Sequence, residues 1–320
     1  MRTTALTLFA FTTLALSAEE AKKQIIALIP KGASHVYWKS VEAGARQAAL
    51  ETGVQLIWSP PEREDDRRQQ MGMVDALVLR KVDALCLAPL DATALREKAE
   101  RATKAGIPVL IFDSPLTRAK GASIAYVGTD NYRAGKLGGE GLGQALHGQG
   151  RVIMLRYAPG SASTEDRERG FLDAIKTYPG IKVLSDEQFG GATVASALDK
   201  SKTLLLRFSG DNRPEGIFCP NQSTTYGMLQ ALQQKKLAGK VTFVGFDPTA
   251  ALVDALRKGE LAGIVSQDPF KMGYFVVKAA KDKLDGKTIA AVIDTGAAYV
   301  TMQNIDTTEI QAVIKPQLGN

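Results

Sequence analysis

Histidine, cysteine and tryptophan are scarce in this 320-residue chain, with two of each. The histidines, His35 and His147, lie far from the cysteines, Cys86 and Cys219, so no Cys–His cluster with metal-ligand spacing exists. No H-E-x-x-H helix and no G-x-S-x-G elbow occurs, which removes the sequence signatures of zinc peptidases and serine hydrolases. Long basic runs are missing as well. The 40 Lys and Arg and 34 Asp and Glu are interspersed and leave a net charge of +6, a poor footprint for nucleic acid. The densest charge cluster, EREDDRR at 62–68, mixes both signs and reads as the solvated start of a helix. No apolar run reaches the roughly 20 residues a membrane span needs. These absences point away from catalysis and from any cofactor or metal.

What is present begins with Arg2 and a short apolar run, Leu6 to Leu16, followed by Ser17, Ala18 and the polar EEAKKQ. A positive end, a greasy core and small residues form the layout of a secretory signal, with cleavage expected after Ala18. The chain beyond the signal is therefore expected outside the cytoplasm. The rest of the chain, with 45% hydrophobic and 23% charged residues, is of ordinary globular composition and long enough for two domains. Cys86 and Cys219 each sit in an apolar run, DALCLAPL and GIFCPN. Both are expected as small buried hydrophobes with free thiols, although an oxidising compartment would permit a disulfide.

Ten short apolar runs recur along the chain, at 24–29, 54–58, 82–88, 107–112, 123–128, 151–157, 181–184, 216–219, 241–246 and 261–266. They lack polar alternation, as strands covered on both faces of a parallel sheet do. Amphipathic stretches lie between them. The one at 36–52 aligns Val41, Ala45, Ala48 and Ala49 on one stripe before Gly53 stops it. Repeated β-α-β units predict a doubly wound sheet. Ten strands are many for one such sheet, so two five-stranded sheets are expected, with the break near Thr129-Asp130-Asn131. The glycine-dense run GKLGGEGLG at 135–143 falls within a helical stretch and reads as close helix packing rather than a phosphate loop.

Ligands of open α/β sheets bind beyond the carboxyl ends of the strands, and hydrogen-bonding residues gather there. Lys31, His35, Tyr37 and Trp38 follow the first strand, and Asp113 and Ser114 the fourth. Arg167 follows the sixth, Asn221 the eighth, Asp247 the ninth and Gln267 the tenth. Taken singly, Asp113 or Asp247 would more often be a helix cap, and Tyr37 and Trp38 serve equally well as a core staple. The recurrence is the signal. Carboxylates, amides and guanidinium groups grip neighbouring sugar hydroxyls in pairs, while aromatic faces cover the C–H side of the ring.

From about Gln24 to Ile305 the chain resembles the periplasmic sugar-binding proteins of the ribose-binding type, which share a fold with the ligand domains of LacI-like repressors. The segments IALIPKGASHVYWKSVEAGARQAA (26–49), IPVLIFDS (107–114), YVGTDNYRAGKLGG (126–139), TEDRERGF (164–171), GIFCPNQSTTYGMLQAL (216–232), VTFVGFDPT (241–249) and IVSQDP (264–269) carry the resemblance. It implies two Rossmann-like lobes, 25–128 plus 268–296 and 129–267 plus 297–320. A three-strand hinge would join them near Gly128–Asn131, Gln267–Pro269 and Gly296–Ala298, and the lobes would close on the ligand. The family's ligand positions match Lys31, His35, Tyr37, Trp38, Asp113, Ser114, Arg167, Asn221, Asp247 and Gln267. Ribose-type proteins usually carry Asp-Arg where this chain has Asp113-Ser114, and a small polar residue where it has Lys31. That shifted cation, and an opening IPK shared with rhamnose- and autoinducer-2-binding relatives, leave the ligand open among a monosaccharide, a deoxy sugar, a polyol and a sugar acid meeting Lys31 and Arg167. The resemblance further implies a monomer serving an ABC permease, with a chemoreceptor as the alternative partner. A repressor of this fold would carry a helix-turn-helix before residue 25, where the apolar signal stands instead.

Overall fold

A computed structural model describes residues 23–116 and 124–318; the expected secretory signal at 1–18 lies outside them. Two parallel-sheet α/β lobes make up the fold. The first sheet takes β1 (Ile25–Ile29), β2 (Gln55–Trp58), β3 (Ala84–Leu87), β4 (Val109–Phe112) and β5 (Tyr126–Gly128). The helices α1 (Val36–Thr52), α2 (Arg67–Leu79) and α3 (Ala94–Lys104) connect its first four strands. The second sheet takes β6 (Gln149–Arg156), β7 (Gly180–Phe189), β8 (Gly216–Phe218), β9 (Thr242–Phe246) and β10 (Gly263–Gln267). Its helices are α4 (Asn131–Ala145), α5 (Ala162–Ile175), α6 (Val194–Arg207), α7 (Gln222–Gln234) and α8 (Ala250–Arg257). The chain then returns to the first lobe as α9 (Pro269–Leu284) and the short β11 (Val292–Asp294), and crosses once more as β12 (Ala297–Val300) and α10 (Thr308–Leu318).

Strand order is β11-β5-β4-β3-β1-β2 in the first sheet and β12-β10-β9-β8-β6-β7 in the second, so both lobes repeat one doubly wound plan. The sheets therefore have six strands each, not the five expected. The two additional strands, β11 and β12, are three and four residues long and partly exposed, so they never produce the continuous apolar signal of a doubly covered strand. β11 pairs parallel with β5, whereas β12 pairs antiparallel with β10.

The interior strands β3 and β4 are buried along their whole length. Gly53 takes φ 70° to close α1, a conformation available to glycine without a Cβ clash. Cys86 and Cys219 are free thiols in different lobes, and burial pushes both far up the pKa scale. The glycine run does mediate close packing. A Cβ on Gly135 would lie 2.0 Å from the Arg167 carbonyl oxygen, and one on Gly170 would lie 2.1 Å from the Tyr132 carbonyl oxygen, so α4 and α5 meet backbone to backbone.

Candidate functional site

The carboxyl ends of both sheets converge on a cavity of about 350 Å³ between the lobes. β4 and β9 deliver the two carboxylates that face each other across it. Asp113 and Asp247 are both buried and both hold φ 61°. Left-handed backbone at a residue other than glycine costs roughly 1 kcal/mol or more, so the fold spends stability to aim these groups inward. Neither acts as the helix cap that an isolated Asp after a strand would suggest.

On the first-lobe wall, Lys31 Nζ lies 3.1 Å from Asp113 Oδ2, and the Tyr37 hydroxyl donates to Asp113 Oδ1 at 2.8 Å. Burial and the neighbouring carboxylate raise the Tyr37 hydroxyl well above its ordinary pKa, so it stays a donor. Tyr37 and Trp38 meet edge to face at 4.9 Å, and Trp38 also packs against Phe112. Both aromatics belong to the lobe's core and also line the cavity. His35 precedes α1, and its Nδ1 sits 2.8 Å from Glu64 Oε1. Burial would lower the His35 pKa, but the Glu64 carboxylate outweighs it and leaves the imidazole raised above 6.5.

On the second-lobe wall, Arg167 emerges from α5 with its guanidinium over the Phe246 ring at 4.3 Å. Its Nε donates to Asn131 Oδ1 at 2.8 Å, its Nη1 donates to the Pro220 carbonyl at 3.0 Å, and Asp247 Oδ2 stands 3.9 Å away. Asp247 also accepts from Gln267 Nε2 at 2.7 Å and from the Gln222 backbone at 3.2 Å. Burial pushes the Asp247 carboxyl up despite Arg167 and Gln267. Asn221 caps α7, its Oδ1 accepting from the Thr224 backbone at 3.3 Å while the side chain still lines the cavity.

Several bonds cross between the lobes. Lys31 Nζ reaches Ser161 Oγ at 3.3 Å and Ser163 Oγ at 3.0 Å, and the Ser163 backbone donates to Ser114 Oγ at 3.1 Å. Arg67 Nη2 donates to the Pro159 carbonyl at 2.7 Å, and the Ala92 backbone donates to the Gly160 carbonyl at 3.0 Å.

Of the sequence candidates, Lys31, His35, Tyr37, Trp38, Asp113, Arg167, Asn221, Asp247 and Gln267 line this cavity, whereas Ser114 is not on its wall and is engaged by Ser163. The sequence reading missed Glu64, Tyr157, Ser163, Thr164 and Gln222, which also line it. Glu64 is the exception in the 62–68 run, whose other six residues are exposed and lead into α2 through its cap Asp66, as the solvated reading expects. The Glu64 side chain is only 6% exposed, and its two oxygens accept from Trp38 Nε1, His35 Nδ1 and the Tyr157 hydroxyl. Burial alone would raise the carboxyl, but His35, the Trp38 hydrogen bond and the Lys31 charge lower it to about 2. A Cβ on Gly32 would lie 2.6 Å from Glu64 Cγ, so the bare glycine leaves room for this side chain. Among the described residues no acid, His and Cys group could hold a metal, and no helix is long and apolar enough to cross a membrane.

Residues 26–288 match the family described as periplasmic binding protein domain. The chain is 28% identical over 295 residues to the ribose import binding protein RbsB of Haemophilus influenzae, covering 91% of this chain and 96% of that one. It is 27% identical over 303 residues to the D-ribose/D-allose-binding protein of Pseudomonas aeruginosa, covering 90% and 92%. A solute-binding protein of a carbohydrate transporter from Agrobacterium radiobacter, solved with D-arabinose, superposes with a TM-score of 0.86 at 31% identity over 92% of this chain and 99% of that one. An ABC transporter solute-binding protein from Agrobacterium vitis with bound D-fucose gives a TM-score of 0.86 at 32% identity over 91% and 99%.

Proposed function

Because the chain belongs to the periplasmic binding protein family, we propose that its interlobe cavity encloses one uncharged monosaccharide. The protein is a sugar-binding component of an ABC import system of the ribose type and acts in the periplasm.

The observation that carries the finer reading is the pairing of charge. Apart from two phenols, the ionisable groups lining the cavity form three acid–base couples: Lys31–Asp113 at 3.1 Å, His35–Glu64 at 2.8 Å and Arg167–Asp247 at 3.9 Å. Buried charges persist only when paired. A sugar acid would have to displace Asp113 or Asp247 from its cation, and an amino sugar would have to compete with Lys31 or Arg167. Hydroxyl groups donate and accept without disturbing any couple. In this reading Asp113 and Asp247 accept from opposite edges of the sugar. Lys31, Arg167, Asn221 and Gln267 complete its hydrogen bonds, Tyr37 and Trp38 cover its apolar face, and Ser114 supports Ser163 from behind.

The lobes, 25–128 plus 268–296 and 129–267 plus 297–320, act as rigid bodies that close by a hinge at the three crossings. The mature protein starts after Ala18, works as a monomer without catalysing a reaction or binding nucleic acid, and presents its closed face to the permease. Names of relatives that refer to import favour the permease over a chemoreceptor. A thermal-shift and calorimetric screen with D-ribose, D-allose, D-arabinose, D-fucose, D-tagatose and D-galacturonate tests the reading. A neutral sugar is expected to bind, with at least a hundredfold loss in Asp247→Ala. Tight binding of D-galacturonate alone would overturn it.

A further inference from the structure

Glu64 is buried like the gripping residues but is already engaged. Oε1 accepts from Trp38 Nε1 at 2.6 Å and His35 Nδ1 at 2.8 Å, and Oε2 accepts from the Tyr157 hydroxyl at 2.9 Å. A carboxylate offers about four acceptor positions, so three are taken before any ligand arrives. Tyr157 belongs to the other lobe. It directly follows β6, is 3% exposed, and its hydroxyl is held far above its ordinary pKa by burial and by Glu64. The Glu64–Tyr157 bond therefore spans the cleft.

What lies behind that bond gives it a role. A second hollow of about 790 Å³ opens beyond it, walled by Arg63, Asp65 and Arg67 from the first lobe and by Pro159, Thr193 and Ser196 from the second. Glu64 and Tyr157 are the residues that line both this hollow and the ligand cavity. They form a partition between the inner cavity and the outer hollow. Resting on the monosaccharide reading above, we infer that the Glu64–Tyr157 pair is the specificity-determining partition that limits the ligand to one unsubstituted ring.

The physical basis is the asymmetry of hydrogen bonding in a buried site. A substituent on the hydroxyl facing the partition can enter only if Tyr157 swings away. That movement strands a buried carboxylate oxygen and a buried phenol, and sites built this way reject such analogues strongly. A substituent on any other hydroxyl meets the remaining walls of the cavity instead.

The test is a calorimetric comparison on the mature protein. The sugar that binds among D-ribose, D-allose, D-arabinose, D-fucose and D-tagatose is identified first, and then each of its mono-O-methyl ethers is titrated. The unsubstituted protein is expected to bind every ether at least a hundredfold more weakly than the free sugar. In Tyr157→Ala the penalty for one ether should shrink at least tenfold, while the others stay rejected. Tyr157→Leu keeps the apolar packing but shortens the side chain, and it should rescue the same ether if the alanine variant does not fold. Tyr157→Phe, which keeps the ring as a wall, should rescue that ether less. Strong binding of a free sugar with no ether rescued in either shortened variant would overturn the partition alone. Failure of all five sugars on the unsubstituted protein would instead overturn the reading of the cavity on which it rests.

Discussion

The two lobes share one construction and differ in how they hold charge. In each, a pair of helices crosses at glycines with no room for a side chain. A Cβ on Gly44 in α1 would lie 2.0 Å from the Phe270 carbonyl oxygen, and one on Gly273 in α9 would lie 1.9 Å from the Val41 carbonyl oxygen. Gly135 and Gly170 do the same between α4 and α5. Each lobe also ends an interior strand in an Asp at φ 61°. Beyond that the symmetry stops. Asp113 is served by an ammonium and a phenol, whereas Asp247 is served by an amide, a backbone N–H and a more distant guanidinium. Arg167 is itself held by Phe246, Asn131 and Pro220. The first lobe thus stakes its carboxylate on one close ion pair, and the second spreads the load over neutral donors.

The largest effect should come from the shared part. Gly44→Val and Gly135→Val each force a backbone separation at a helix crossing and should destabilise by about 3 kcal/mol or more. Chemical denaturation of the two variants measures this, and a loss in one lobe but not the other would break the equivalence. A smaller and unequal effect is expected at the carboxylates. Asp113→Asn leaves the Lys31 ammonium without its close counter-ion, at a cost of roughly 3 kcal/mol. Asp247→Asn removes a carboxylate whose pKa is already raised by burial, and Arg167 keeps its other partners, so the loss should be under half as large. Equal losses would refute the contrast.

The smallest effect is a pH dependence centred on the His35–Glu64 pair. The folded His35 pKa is raised above 6.5 by Glu64, with Asp247 adding to it. Its stabilisation is therefore complete below about 6.5 and is lost as pH rises through the folded value. Glu64 moves the other way, from 4.5 to about 2, so its contribution is present above about 4.5 and is lost as pH falls towards 2. The pair is strongest between those limits. Thermal unfolding of the protein and of His35→Asn across pH 4 to 9 should show a slope above pH 6.5 that the variant lacks, and identical slopes would remove His35 as its source.

Much of this was legible in the sequence, and the exceptions share a cause. Uninterrupted apolar runs such as VLIF at Val109–Phe112 mark doubly covered strands, because burial on both faces abolishes alternation. Strand ends then expose Asp113, Asn221 and Asp247, and α5 exposes Arg167, to a common cleft. β11 and β12 escaped because three or four half-exposed residues carry too little pattern. Ser114, adjacent to a site residue in sequence, sits off the cavity wall because its hydroxyl faces the Ser163 backbone.

The sequence by itself determined the strand-and-helix alternation, the two-lobed plan and the placement of ligand-type residues at strand ends, since periodicity and turn chemistry are local properties. Only the tertiary structure decided which charges pair and what closes the cavity. Glu64 stands in a run of seven charged or polar residues whose local expectation is solvent. Its burial is settled by Trp38, 26 positions upstream, and by Tyr157, 93 positions downstream on the other lobe. A buried carboxylate is stable only where distant donors converge on it, and convergence across a cleft leaves no trace in local spacing.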